Sequence, residues 1–237
     1  MHRVERAIIM GAGLGTRLRP ATDNIPKPMV KVNGVRIIET VIDALYANGI
    51  NEIHIVTGYK AEAYEELKKK YPDIDFVHNP YYETRNNISS MYLVRQHLHN
   101  CICVDGDNMI MNPAVLSPEF EYSGYASVER HLKDTLVEWF MHTDENGIVR
   151  STTTQDTDGW QLFGVCRLTE EDGRRIAKHL EEEYIVKKNY DSWWDEIALM
   201  LYKDEFEFRV TPIKLGDIVE IDSYEELLAI DSSYEKN

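Results

Sequence analysis

The first half of the chain alternates short apolar runs with stretches of helical periodicity. Residues 7–10 form an apolar run closed by a glycine cluster, which predicts a buried strand. Residues 11–28 follow as a long loop rich in Gly, Pro and charge. Ile37, Ile38, Val41, Ile42 and Leu45 recur at helical spacing, and Gly49 marks the end of that helix. Residues 52–56 predict a second buried strand before Gly58. A charged helix over 61–71 stops at Pro72, and a third strand covers 75–78. A helix over 88–98 and a strand over 101–104 complete the pattern, the strand running into Asp105-Gly106-Asp107-Asn108. Strand and helix alternating at this spacing imply right-handed βαβ units and a mainly parallel sheet. Ligands of such sheets sit at the carboxyl ends of strands, so the glycine loop, Gly58 and the Asp105–Asn108 turn are expected to converge.

The second half is less regular. It predicts strands over 125–130, 136–142, 162–168 and 206–211, with helices over 170–184, 194–202 and 224–230. No internal repeat or low-complexity linker divides it. We read residues 1–237 as a single domain, with a nucleotide-binding lobe over 1–120 and an acceptor-binding lobe over 121–237.

Composition narrows the class. A chain of 237 residues with 43% hydrophobic content can bury one sizeable core. Its net charge of −15 argues against non-specific nucleic-acid binding, yet leaves room for a local basic pocket. Cys101, Cys103 and Cys166 form no disulfide framework, and the first two alternate as strand residues do. Reduced thiols, with no signal-peptide or membrane-span pattern, lead us to expect a cytoplasmic protein.

The chemistry concentrates in the loop. Gly11-Ala12-Gly13-Leu14-Gly15-Thr16-Arg17 lets the backbone approach phosphates and aim N–H groups at them. It is neither the dinucleotide GxGxxG, because Thr16 stands at the last position, nor a P-loop, because Gly-Lys-Ser/Thr is absent. Arg17 suits the outer phosphates of a triphosphate. Pro26 and Pro28 restrict Lys27, whose ammonium suits charge developing on an α-phosphate. Asp105 and Asp107 follow a strand, and Glu220 and Asp222 flank Ile221 late in the chain. Carboxylates at a strand end, together with substrate phosphates, are what Mg²⁺ prefers. Asp107 and Asp222 also fit a turn residue and a helix cap, respectively.

Gly11 to Leu18, then Pro20, then Pro26-Lys27-Pro28-Met29 resembles the signature of sugar-nucleotide pyrophosphorylases and related cytidylyltransferases. The resemblance implies a three-layer α/β/α, nucleotide-diphospho-sugar-transferase-like (Rossmann-like) fold around a mixed, mainly parallel sheet. It implies that Arg17 and Lys27 hold the triphosphate and that Asp107 and Asp222 share Mg²⁺. Gly11, Ala12, Gly13, Gly15, Thr16, Gly58, Asn87, Ser90 and Asp105 are the expected nucleotide-binding residues.

Across nearly the whole chain the sequence is similar to bacterial phosphocholine cytidylyltransferases. This similarity rests on Asn86 to Val94, Ser127 to Arg130, Glu138-Trp139-Phe140, Asp191 to Asp195 and Glu220 to Ser223. It implies CTP and phosphocholine as substrates. Arg130 is the expected phosphate contact, with Lys133 and Arg85 as rivals. A quaternary ammonium donates no hydrogen bond and is held by aromatic faces. Tyr190, Trp193, Trp194 and Trp139 are candidates for such a cage, with Asp195 as counter-charge, although ordinary core packing also accounts for tryptophans. Glu196 stands where the family pattern has an amide, and a second acid suits a primary amine. 2-Aminoethylphosphonate is therefore the rival acceptor. A sugar-1-phosphate nucleotidylyltransferase and a non-catalytic nucleotide sensor are more distant readings. The attacking group would itself be a phosphate anion, so no general base is required.

Overall fold

A computed structural model describes residues 1–236. The central sheet has nine strands. In chain order they are β1 (Arg6–Gly11), β2 (Glu52–Thr57), β3 (Asp75–His78), β4 (Cys101–Asp105), β5 (Gly124–Leu136), β6 (Phe140–Thr143), β7 (Val149–Thr153), β8 (Asp156–Leu168) and β9 (Arg209–Pro212). Their order is β7-β6-β8-β4-β1-β2-β3, with β5 joining β8 to β9. The ladder β4-β1-β2-β3 is parallel. Pairings of β8 with β4, β5 and β6, and of β6 with β7, are antiparallel. Mixing enters where β8 turns back against β4.

Alternation along the parallel strands builds the three layers. Ala7, Ile9, Ile55, Ile102 and Val104 point to one face, where they meet Ile38, Val41, Ile42 and Leu45 of helix α1 (Ile37–Ala47). Ile8, Val56, Cys101 and Cys103 point to the other. There they meet Ile88 and Met91 of α2 (Ile88–Leu93) and Ile176 and Leu180 of α3 (Glu170–Glu181). Each fully buried Ile or Leu contributes roughly 1.5–3 kcal/mol, so these two cores fix the layering.

Several elements differ from the periodicity. The charged segment after β2 is a 3₁₀ helix over Ala61–Lys69. The helix expected over 88–98 ends at Leu93 and continues as a 3₁₀ turn, Arg95–His97. The helix from Glu170 passes into a π-helical turn at Glu182–Val186. The helix expected over 194–202 is a π-helical turn confined to Ile197–Leu201. The strand expected over 136–142 is broken, because residues 137–139 lie between β5 and β6. No helix among the described residues is long and apolar enough to cross a membrane.

Candidate active site

Strand ends and one late segment meet around a cleft of about 380 Å³. The glycine loop forms its floor. Gly15 takes φ +61°, a left-handed conformation that a side chain would oppose, and its carbonyl accepts from Thr22 Oγ1 at 2.7 Å. Tyr64 Oη donates to Gly11 O at 2.7 Å. Gly58 lets two backbones close up: a Cβ there would lie 2.7 Å from Ala12 O, which accepts from Tyr59 N at 3.0 Å. With their outer partners supplied by neighbours, Gly11 to Leu18 line the cleft.

Lys27 opens a 3₁₀ turn, Lys27–Met29, and is only 8% exposed. Its Nζ donates to Asp107 Oδ2 at 2.8 Å and to Asp222 Oδ1 at 2.7 Å. A small separate ladder brings these acids together: Ile218–Glu220 pairs antiparallel with Asn108–Ile110, placing Glu220 opposite Asn108. Asp107 and Asp222 both lie just beyond that pair, at the same end of the ladder. Arg17 Nη2 reaches Asp222 Oδ1 at 3.0 Å from a largely exposed position. Oxygens of Asp107, Glu220 and Asp222 all lie within 4.8 Å of one another.

This trio fits a hard divalent cation on two observations. The donors are all carboxylate oxygens, with a lysine ammonium standing between two of them. Asp107 Oδ1 is also buried without a hydrogen-bond partner, an acceptor left facing inward. Burial, reinforced by Asp107 and Asp222, pushes Glu220 up to about 8. Burial, then the Asp107 charge, raises Asp105 well above the carboxylate range. Burial works against the Lys27 charge, but the Asp107 and Asp222 carboxylates outweigh it and raise its pKa. Asp105 owes its space to Gly164 on β8: a Cβ there would fall 2.0 Å from Asp105 Oδ2.

The far wall is built by two asparagines. Asn86 N donates to Tyr190 O at 2.8 Å and its Nδ2 donates to Asp191 O at 2.9 Å. Asn87 Oδ1 accepts from Trp194 N at 2.8 Å. These bonds dock the 190–194 segment at the start of α2 and bring Trp193, 48% exposed, onto the cleft wall. Ser90 lines the same wall and accepts from buried Asn79 Nδ2.

The other expected acceptor residues are placed differently. Trp194 is buried at 3%, its ring 6.2 Å from that of Tyr125. Asp195 accepts from Tyr125 Oη at 2.7 Å, and burial pushes it up to about 6 despite that bond. The Tyr190 ring carries the Arg85 guanidinium, which is stacked 3.9 Å from both Tyr190 and Tyr81. Arg130 lies opposite Gly159 on the long β5–β8 ladder, and Trp139 O accepts from Leu162 N. Neither is among the residues lining the cleft. Tyr82, Asn79 and Asn86 line it without having been singled out as site residues, since polar and aromatic residues in turns carry no spacing signal. Glu220 was visible only as a neighbour of Asp222.

Residues 6–115 match the Nucleotidyl transferase family. A 2-aminoethylphosphonate cytidylyltransferase of Lancefieldella rimae is 32% identical over 231 residues, 96% of this chain and 92% of the relative. A choline-phosphate cytidylyltransferase of Streptococcus pneumoniae is 34% identical over 221 residues, covering 93% and 94%. The solved structure of a CTP:phosphocholine cytidylyltransferase from Streptococcus pneumoniae (LicC) superimposes with a TM-score of 0.88. It is 33% identical and covers 98% of this chain and 99% of that one. An inositol-1-phosphate CTP transferase from T. maritima, 19% identical with TM-score 0.73, shares the fold over 96% of each chain. Similarity at this identity over nearly the full length, on a matching fold, places the chain in the nucleotidyl transferase family, among the bacterial cytidylyltransferases.

Proposed function

We propose that the protein transfers a cytidylyl group from CTP to phosphocholine, giving CDP-choline and pyrophosphate. The observation that carries the chemistry is the meeting of Lys27 with Asp107 and Asp222 beside the glycine loop. The acceptor follows from the full-length choline-phosphate relatives and from Trp193 on the cleft wall.

Asp107, Asp222 and Glu220 would hold Mg²⁺. When bound, the ion would neutralise charge on the α- and β-phosphates. The N–H groups of Gly11 to Thr16 would cradle the triphosphate, and Arg17 would pair with its outer phosphates. Lys27, released from the carboxylates, would meet the charge developing at the α-phosphate. Asn87 and Ser90 stand on the wall suited to base or ribose. Trp193 offers an aromatic face to the acceptor ammonium. The acceptor phosphate is already anionic, so no side chain need remove a proton from it. The buried, unpaired thiols of Cys101, Cys103 and Cys166 support a cytoplasmic location.

One observation favours a second acceptor. Arg85 already occupies the space between Tyr81 and Tyr190, leaving fewer aromatic faces for a quaternary ammonium. A primary amine, as in 2-aminoethylphosphonate, seeks a carboxylate instead; Asp195 is engaged by Tyr125 Oη, which leaves Glu196, three residues after Trp193, as the candidate. Pyrophosphate release with CTP and Mg²⁺ should be compared for phosphocholine, 2-aminoethylphosphonate and glucose-1-phosphate. Higher kcat/KM with phosphocholine supports the first reading. Higher kcat/KM with the aminophosphonate replaces it with the second, and turnover of the sugar phosphate alone rejects both.

A further inference from the structure

We propose that Glu52, His54 and His97 form a second metal site, of the zinc class, at the amino-terminal end of β2, away from the cleft. The three donors come from separate places in the sequence. Glu52 opens β2, His54 lies two residues along it, and His97 ends the 3₁₀ turn after α2. One ligand atom from each lies within 4.8 Å of the others. Ligands about 2.0–2.2 Å from a common Zn²⁺ sit roughly 3–4 Å apart, so small side-chain rotations close the set.

The surroundings hold the two imidazoles in place. His54 Nδ1 lies 3.0 Å from Asp75 Oδ2, its neighbour across the β2–β3 register. A carboxylate on Nδ1 is the outer partner that orients a histidine binding metal through Nε2. Nε2 in turn points to Glu52 Oε1 at 3.1 Å. The His97 ring packs on His54 with centroids 3.9 Å apart. His97 Nδ1 lies 3.9 Å from Glu52 Oε1.

Among the described residues Arg6 is the competing cation in contact with the cluster, and it is also anchored elsewhere. Its Nε donates to Glu52 Oε1 at 2.9 Å, its Nη1 to His99 O at 2.6 Å, and its Nη2 pairs with Glu5 at 3.2 Å. Glu52 Oε2 has no partner among the described residues. Two imidazoles and one carboxylate, with a fourth position for water, suit Zn²⁺ or Co²⁺. They offer too few oxygens for Mg²⁺ or Ca²⁺. The ion would clip the start of β2 to the turn that follows α2.

The test uses the full chain, free of affinity tags and stripped by a chelator, with Co²⁺ as a visible probe. One equivalent should produce the intense d–d absorption of a four-coordinate ion, and Zn²⁺ should abolish it. His97→Gln, on a partly exposed turn, and His54→Gln should each weaken binding at least tenfold. Asp107→Ala should leave it unchanged, which separates this site from the cleft. Zn²⁺ should also raise the melting temperature of the parent chain but not that of His97→Gln. The proposal is overturned if no such spectrum appears, if it survives both histidine changes, or if it is lost with Asp107→Ala.

Discussion

Lys27 Nζ lies 2.7 Å from Asp222 Oδ1, joining residues 195 positions apart in the chain. The ammonium supplies the buried positive charge of the acidic cluster, beside the largely exposed Arg17, with Asp107 Oδ2 only 2.8 Å from the same nitrogen. Lys27→Met removes that charge and leaves the carboxylates with only the exposed Arg17 as counter-charge. Losing one partner of a buried pair costs about 3–5 kcal/mol, and the partial exposure of both aspartates reduces this to about 1–3 kcal/mol. Mg²⁺ should raise the melting temperature of this variant more than that of the parent, because the ion replaces the missing charge. Equal shifts would show that metal and lysine do not share the carboxylates.

Asp107→Ala should lower turnover at least about 100-fold, in line with loss of a transition-state charge contact. It should fold normally, since it removes one of several crowded acids. Circular dichroism and pyrophosphate release together check this, and near-normal turnover with Mg²⁺ removes Asp107 from the proposed mechanism.

Trp193→Ala should raise the acceptor KM roughly 3- to 30-fold, the equivalent of one cation–π contact, and leave the CTP KM nearly unchanged. Steady-state kinetics with each substrate varied in turn separates the two effects. Parallel rises in both constants would assign Trp193 to shaping the whole cleft.

Asp195 titrates near 6 in the folded chain, above its ordinary value of 3.8. The folded protein therefore binds that proton more tightly than the unfolded chain. The resulting penalty is absent below pH 4, grows as pH rises towards 6, and is complete above it. Two pKa units correspond to about 2–3 kcal/mol. Asp195→Asn, which can still accept from Tyr125, should be more stable than the parent by up to that amount at pH 7.5 and no more stable at pH 4. Urea unfolding at the two pH values decides the matter; a pH-independent difference would contradict the assignment.

Gly164→Ala should destabilise the fold by about 1–3 kcal/mol, because its methyl would overlap Asp105. Adding Asp105→Ala should recover most of that loss. Additive losses in the double variant would show that the overlap is relieved elsewhere.

Much of this was legible in the residues. The glycine loop and Pro-Lys-Pro segment are contiguous, so their order in the sequence is their order around the cleft. The parallel strands β1 and β4 carry apolar runs that read directly, and β2 does so despite His54. What was not legible depended on distant partners. Val149–Thr153 pairs in the sheet although Arg150, Ser151, Thr152 and Thr153 show no apolar alternation. Asn108–Ile110 and Ile218–Glu220 are three residues each and exist only because they meet. Trp193 and Trp194 differ in burial, 48% against 3% exposed, because Asn87 grips the backbone between their side chains. Nothing in an adjacent Trp-Trp pair says which ring turns outward.

That grip has a mechanical reading. Asn87 stands on the cleft wall and also holds the main chain of the segment that presents Trp193. A nucleotide pressing on α2's first turn would therefore move the acceptor's wall with it. On the proposed reading one amide would serve as a lever between the two substrates, and the arrival of the first would set the shape offered to the second.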